Sequence, residues 1–94
     1  MINYKQLIGK NISTSATTYT IEDITKYNAL VIQAMNSNTT YNSITVFKDR
    51  YTAFGGTHIV LIGNDYIRVH FTSNTSFAAI TNNGGYWCFI YGIY

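Results

Sequence analysis

Four carboxylates, two histidines and one cysteine are all the chain offers for carboxylate, imidazole or thiol chemistry. Glycoside hydrolysis needs two carboxylates flanking the scissile bond. Glu22 and Asp23 are sequence neighbours that would point to opposite faces of a strand, and Asp49 and Asp65 fall in turn-like stretches where Asp is ordinary. No acid–base pair emerges. His58 and His70 flank a Gly63-Asn64-Asp65 turn, and pairing about Asn64 would set residue 58 opposite residue 70. Even a facing pair lacks the third ligand that a metal site requires. Cys88 lies between aromatic neighbours with no adjacent base, so it reads as a small buried hydrophobe. No serine sits in a Gly-x-Ser-x-Gly elbow. Gly55-Gly56-Thr57 lacks the lysine and further glycines of a phosphate loop. The residues predict no catalysis, no cofactor and no metal.

What remains is neutral and polar. Thr, Asn and Ser make up 29 of the 94 residues, alongside nine tyrosines. Hydroxyls and amides match sugar hydroxyls, and tyrosine and tryptophan bring large contact area at low entropic cost. The candidate ligand-facing residues are Tyr41 with Asn42, Arg50 with Tyr51, Tyr66 with Arg68 and His70, and Tyr86 with Trp87. Trp87 carries a competing reading as core, because it sits inside the most apolar segment. Tyr66, Arg68 and His70 share the outward face of one strand, open to solvent, a second subunit or a ligand.

Composition says what must position these side chains. Isoleucine is abundant, proline is absent, and alanine, leucine and glutamate are few. That balance favours strands over helices. Charged residues are only 11% of the chain and the net charge is +2. So weak and scattered a charge makes no nucleic-acid footprint. The hydrophobic share of 47% argues against disorder. No run approaches the ~18 apolar residues of a membrane helix, and Met1 to Lys5 shows no signal-peptide apolar core. The expectation is a soluble protein without membrane contact. A single cysteine excludes an internal disulfide.

The period-two pattern recurs every few residues. Strands are expected at Tyr4–Ile8, Thr17–Ile21, Leu30–Met35, Ser43–Lys48, Thr57–Ile62, Tyr66–Thr72, Thr75–Thr81 and Tyr86–Tyr94. Between Ile21 and Ala29 one helical turn fits, with Ile24 plugging the core. The Leu30–Met35 run is nearly continuously apolar, as in a strand covered on both faces. Asn36–Asn42 reads as a polar loop and Asp49–Gly56 as a longer connection. Asn82-Asn83-Gly84-Gly85 is a strong turn signal. About eight short antiparallel strands at this spacing predict an all-β sandwich or barrel, in one domain spanning 1–94. With no proline to blunt its edges, another subunit could protect them.

Two groups of motifs carry a resemblance. The first is Tyr19-Thr20-Ile21, then Asp23-Ile24-Thr25-Lys26-Tyr27-Asn28, then Ala29-Leu30-Val31-Ile32. The second is Tyr66-Ile67-Arg68-Val69-His70-Phe71-Thr72, a polar turn, Ser76-Phe77-Ala78-Ala79-Ile80, and the terminal Ile90-Tyr91-Gly92-Ile93-Tyr94. Together they are similar to the C-terminal head domains of tail, baseplate and receptor-binding proteins of phages and prophages from Gram-positive and gut bacteria. Those heads carry a Lys-Tyr-x-x-Leu-x-Ile segment and commonly end in Ile/Val-Tyr-Gly-Ile. The resemblance covers roughly Tyr19 to Tyr94. It implies a jelly-roll-like β-sandwich, usually trimeric, that binds host cell-surface glycans from the virion. It supplies no residue-level sugar site. Such heads normally follow a shoulder or shaft, whereas this chain begins close before its first strand.

Three readings follow. One is a non-catalytic glycan-binding head, a homotrimer working beside other tail or baseplate proteins. Another is a purely structural virion component whose partner is a protein. The third is a carbohydrate-binding module attached to an enzyme.

Overall fold

A computed structural model describes residues 3–37 and 39–94. Met1, Ile2 and Asn38 lie outside the described residues, so nothing structural bears on the reading of the N-terminus or on that one position of the Asn36–Asn42 segment.

Eight strands alternate with short turns: β1 (Tyr4–Asn11), β2 (Thr17–Thr20), β3 (Ala29–Ser37), β4 (Thr40–Phe47), β5 (His58–Ile62), β6 (Asp65–Ser73), β7 (Ser76–Thr81) and β8 (Trp87–Ile93). They form two antiparallel four-stranded sheets. Sheet I has the order β1-β8-β3-β4 and sheet II the order β2-β7-β6-β5. The fold is an antiparallel β-sandwich, with β8 beside β1 and β7 beside β2. The middle of the chain makes the plain hairpins β3–β4 and β5–β6.

Alternation places the core. Leu30, Ile32 and Ala34 of β3, Val46 of β4, and Cys88 and Ile90 of β8 point inward from sheet I. Val60 and Ile62 of β5, Ile67, Val69 and Phe71 of β6, and Phe77 and Ala79 of β7 meet them from sheet II. Each Val, Leu, Ile or Phe among them contributes ~1.5–3 kcal/mol by leaving water. Ile24, in a 3₁₀ turn (Ile24–Lys26), closes one end as expected, with Asp23 capping the turn by accepting from the Thr25 amide and hydroxyl.

Several expectations need correction. The Asn36–Asn42 segment is not simply a loop, because β3 runs to Ser37 and β4 begins at Thr40. The Asp49–Gly56 connection opens with one helical turn, α1 (Lys48–Tyr51). The apolar run of β3 is buried on one face only. Val31, Gln33 and Met35 stay half-exposed on the other, since no third layer covers them among the described residues.

The β5–β6 hairpin turns at Gly63-Asn64, with Gly63 at φ +60, a backbone that favours glycine. The turn is centred half a residue before Asn64, which shifts the pairing by one. His58 therefore pairs with Val69 on the inward face, and His70 points outward. A one-residue slip exchanges faces throughout a strand, so the two histidines do not form a facing pair.

The two motif groups of the sequence meet in space. The ring of Tyr27 lies where a side chain on Gly92 would begin, so this glycine permits close approach. The Asn28 amide donates to the Ile93 carbonyl at 2.8 Å, and Tyr27 and Tyr94 pack edge to face at 5.9 Å.

Candidate functional site

The outer face of sheet I is a grid set by strand register. Four rows cross the sheet in the order β1, β8, β3, β4. They read Asn11-Trp87-Met35-Tyr41, Gly9-Phe89-Gln33-Ser43, Gln6-Tyr91-Val31-Thr45 and Tyr4-Ile93-Ala29-Phe47. None of these sixteen positions carries a charged residue or a histidine.

The β8 column is an aromatic spine. Trp87 and Phe89 stack at 6.2 Å with their planes 17° apart. Tyr91 follows and meets Tyr4 edge to face at 6.1 Å. Phe89 is held by its neighbour: a Cβ on Gly9 would fall 2.7 Å from the Phe89 ring, so only glycine on β1 lets that ring lie down over the strand. Amides and hydroxyls flank the spine. Asn11 and Gln6 stand on one side, Gln33, Ser43 and Thr45 on the other, with Tyr41 beyond Met35. Trp87 is 44% exposed and Tyr41 58%. Toward the last row, Tyr4, Val31, Gln33, Tyr91 and Ile93 line an open groove of about 340 Å³.

The candidates separate cleanly. Tyr41 and Trp87 belong to the grid. For Trp87 the core reading is corrected: the outward parity of β8 exposes it, while its neighbour Cys88 is buried. Tyr86 is the reverse. It is buried, and its hydroxyl donates to Asp65 Oδ2 at 2.5 Å, within a cluster in which Asn82 and Asn83 also donate to Asp65. These bonds, Tyr86 first, hold the Asp65 carboxyl below its ordinary range. Tyr86 thus pins the β7–β8 turn and cannot face a ligand.

Tyr51 is likewise core. It is fully buried, and its hydroxyl donates to the Tyr27 carbonyl at 2.5 Å. Asn42 lies on the inward side of edge strand β4, where its amide donates to the Leu61 carbonyl at 2.7 Å and stitches sheet I to sheet II. Arg50 is exposed on α1, with Nε 3.9 Å from Asp49, at the rim of an open groove of about 570 Å³ between β4 and β5. It stands apart from the grid.

Tyr66, Arg68 and His70 share the outer face of sheet II, as expected. There they are occupied within the chain. Arg68 Cζ lies 5.7 Å from the Tyr66 ring centroid, and His70 Nδ1 is 2.9 Å from the Gly56 carbonyl oxygen.

Phe89, Tyr91, Gln33, Gln6, Ser43 and Thr45 escaped the reading of the sequence, although the signal was present. Trp-x-Phe-x-Tyr-x-Ile is a period-two aromatic stripe, obscured because the intervening Cys88 and Ile90 make the segment look uniformly apolar.

Acid–base and metal chemistry have no matching constellation among the described residues. No three of His, Cys, Asp and Glu gather. Burial pushes the Cys88 thiol up to about 12. Glu22 sits away from the grid, accepting from Tyr27 and then Lys5, which hold its carboxyl low. Comparison with protein-family models, with curated proteins and with solved structures gives no match.

Proposed function

We propose that this chain is a non-catalytic binding head that recognises a host cell-surface glycan, as part of a phage or prophage tail or baseplate. The observation that carries the reading is the aromatic spine Trp87-Phe89-Tyr91, flanked by neutral amides and hydroxyls on an open sheet face. An aromatic ring carries a negative face. The C–H face of a sugar ring is its apolar, slightly positive side and stacks there, while amides and hydroxyls alongside take the sugar hydroxyls and fix orientation. The motif resemblance supports the setting on a virion. In a trimer of such heads, weak single sites would be raised by multivalency without any new contact.

A second reading, a structural virion component bound to another protein, is favoured by one observation. The Tyr4-Ile93-Ala29-Phe47 row is wholly apolar apart from one hydroxyl, with Tyr4 69% and Phe47 66% exposed. Exposed apolar patches of this kind mark protein contacts as readily as ligand contacts.

The test is binding of fluorescently labelled protein to a panel of Gram-positive and gut bacteria, before and after surface polysaccharide is stripped. Strain-selective binding lost on stripping is the expected result. A folded protein that binds no strain, but is captured by purified tail or baseplate proteins, selects the structural reading.

A further inference from the structure

We infer that the ligand of the sheet I face is an uncharged, extended polysaccharide chain that lies along β8 and spans Trp87, Phe89 and Tyr91. The inference rests on the glycan-binding reading and specifies the chemistry of that same site.

Charge is the first argument. Cell-surface polymers divide into neutral chains and those bearing carboxylate or phosphate. A face built for the second kind presents arginine or lysine, because charge-assisted hydrogen bonds are roughly twice as strong as neutral ones and guanidinium matches both anions bidentately. The grid has no cation in any of its sixteen positions. Its open donors are Gln6, Gln33, Ser43, Thr45 and the tyrosine hydroxyls, while the Asn11 amide already gives one N–H to the Tyr86 carbonyl at 3.4 Å. An acidic chain laid there would give up its hydration and find no counter-charge. A neutral chain loses only hydroxyl hydration, which the amides and hydroxyls restore. The chain's six cations are off the grid: Lys5 and Lys10 take the opposite parity on β1, Lys5 being paired with Glu22 at 3.0 Å, Lys26 is in the 3₁₀ turn, Lys48 and Arg50 are on α1, and Arg68 is on the opposite sheet over Tyr66.

Geometry is the second. The three rings stand on alternate residues of one strand, roughly 6.7 Å apart along it. Their polar flanks repeat at the same interval, row by row. Among the described residues the face is open, its groove beside Tyr91 included, so nothing there confines a single sugar. A site of this form gains by engaging successive units of a chain. Its rings are set before binding: Phe89 is laid over Gly9, and Trp87 is stacked on Phe89. Such preorganisation spares the ordering cost of binding.

The experiment is calorimetric titration of the whole chain with length ladders of a neutral linear glucan and a neutral linear mannan, against polygalacturonate and a teichoic acid. Sedimentation velocity of the same samples runs alongside. With a neutral ladder, affinity should rise with length and level off once the chain spans the three rings. The acidic polymers should bind at least about tenfold more weakly. Gln33→Lys, which puts a cation mid-face on a half-exposed strand position, should narrow or reverse that preference while leaving the melting temperature nearly unchanged. Trp87→Ala should weaken the long neutral chains more than the short ones.

Equal or tighter binding of the acidic polymers overturns neutrality but leaves glycan recognition standing. Affinity independent of length overturns the extended mode alone. No binding of any polysaccharide, with concentration-dependent self-association abolished by Gln33→Lys, overturns both readings and assigns the face to a second copy of the chain.

Discussion

The two sheets are built alike inside and unlike outside. Each alternates a packed inner face with an open outer one, and their inner residues merge in a single core. On the outer face of sheet II two of the polar side chains are engaged within the chain: Arg68 lies over Tyr66, and His70 Nδ1 meets the Gly56 carbonyl. Its exposed apolar side chains, Ile59 and Leu61 of β5, are aliphatic, and Ala78 of β7 adds little surface. On the outer face of sheet I the rings touch mainly one another, and the amides of Gln33 and Gln6 have no intramolecular hydrogen bond among the described residues. The outer face of sheet I is the one with open amides and rings, which is where the proposed glycan site is placed. The difference teaches where to look in a sandwich whose core says nothing about function.

The largest effect should come from the part that both sheets share. Phe77→Ala opens a cavity between Phe71 and Tyr19 and should cost ~3–5 kcal/mol, read by chemical denaturation. Next is Gly92→Ala, whose new methyl meets the Tyr27 ring. Overpacking there should cost ~1–3 kcal/mol. An unchanged midpoint for either would break the picture of one tightly packed core closed by Tyr27.

The asymmetry between outer faces is tested by Trp87→Ala. Because Trp87 is exposed, stability should fall by no more than about 1 kcal/mol, while glycan affinity should drop by about tenfold or more. Unfolding of this variant would return Trp87 to the core. A smaller effect is pH-dependent. Burial, with His70 second, holds the His58 imidazole below its usual value. The unfolded chain therefore takes up the proton first as pH falls. Stability from this group should be complete above the ordinary imidazole range near ~6.5 and lost as pH falls below it. Melting curves from about pH 7.5 to 5 should show this decline, and His58→Gln should remove that step. The depressed Asp65 and Glu22 carboxyls lose their contribution only at lower pH, below the usual carboxylate range. The smallest effect is predicted for Arg68→Ala: about 0.5 kcal/mol in stability, with glycan affinity unchanged. A marked loss of affinity would move the site to sheet II.

Much of the architecture was legible because alternation is a local property. Ile67, Val69 and Phe71 against Arg68 and His70 read directly as inside and outside, and Ile24 as a plug. The candidate site was less legible. Tyr41 and Trp87 were named, but beside Tyr51, Asn42 and Tyr86, whose polar groups turn inward to the Tyr27 carbonyl, the Leu61 carbonyl and Asp65. Those partners lie between 19 and 24 residues away along the chain, and no local pattern specifies them.

The sequence by itself determined the strand-rich class, the hairpin turns and the poverty of catalytic side chains, because propensity, period and composition act over a few residues. Only the tertiary structure decided that β8 lies between β1 and β3, and that its odd-numbered aromatics join Gln6, Gln33 and Tyr41 in one uncharged face. It also decided the His58 register, through a turn placed half a residue from the symmetric position. The His58 register is set by a local turn, but the placement of β8 is set by pairing over long distances along the chain. Which face of a strand meets water depends on what packs against it, and here those partners come from the opposite ends of the chain.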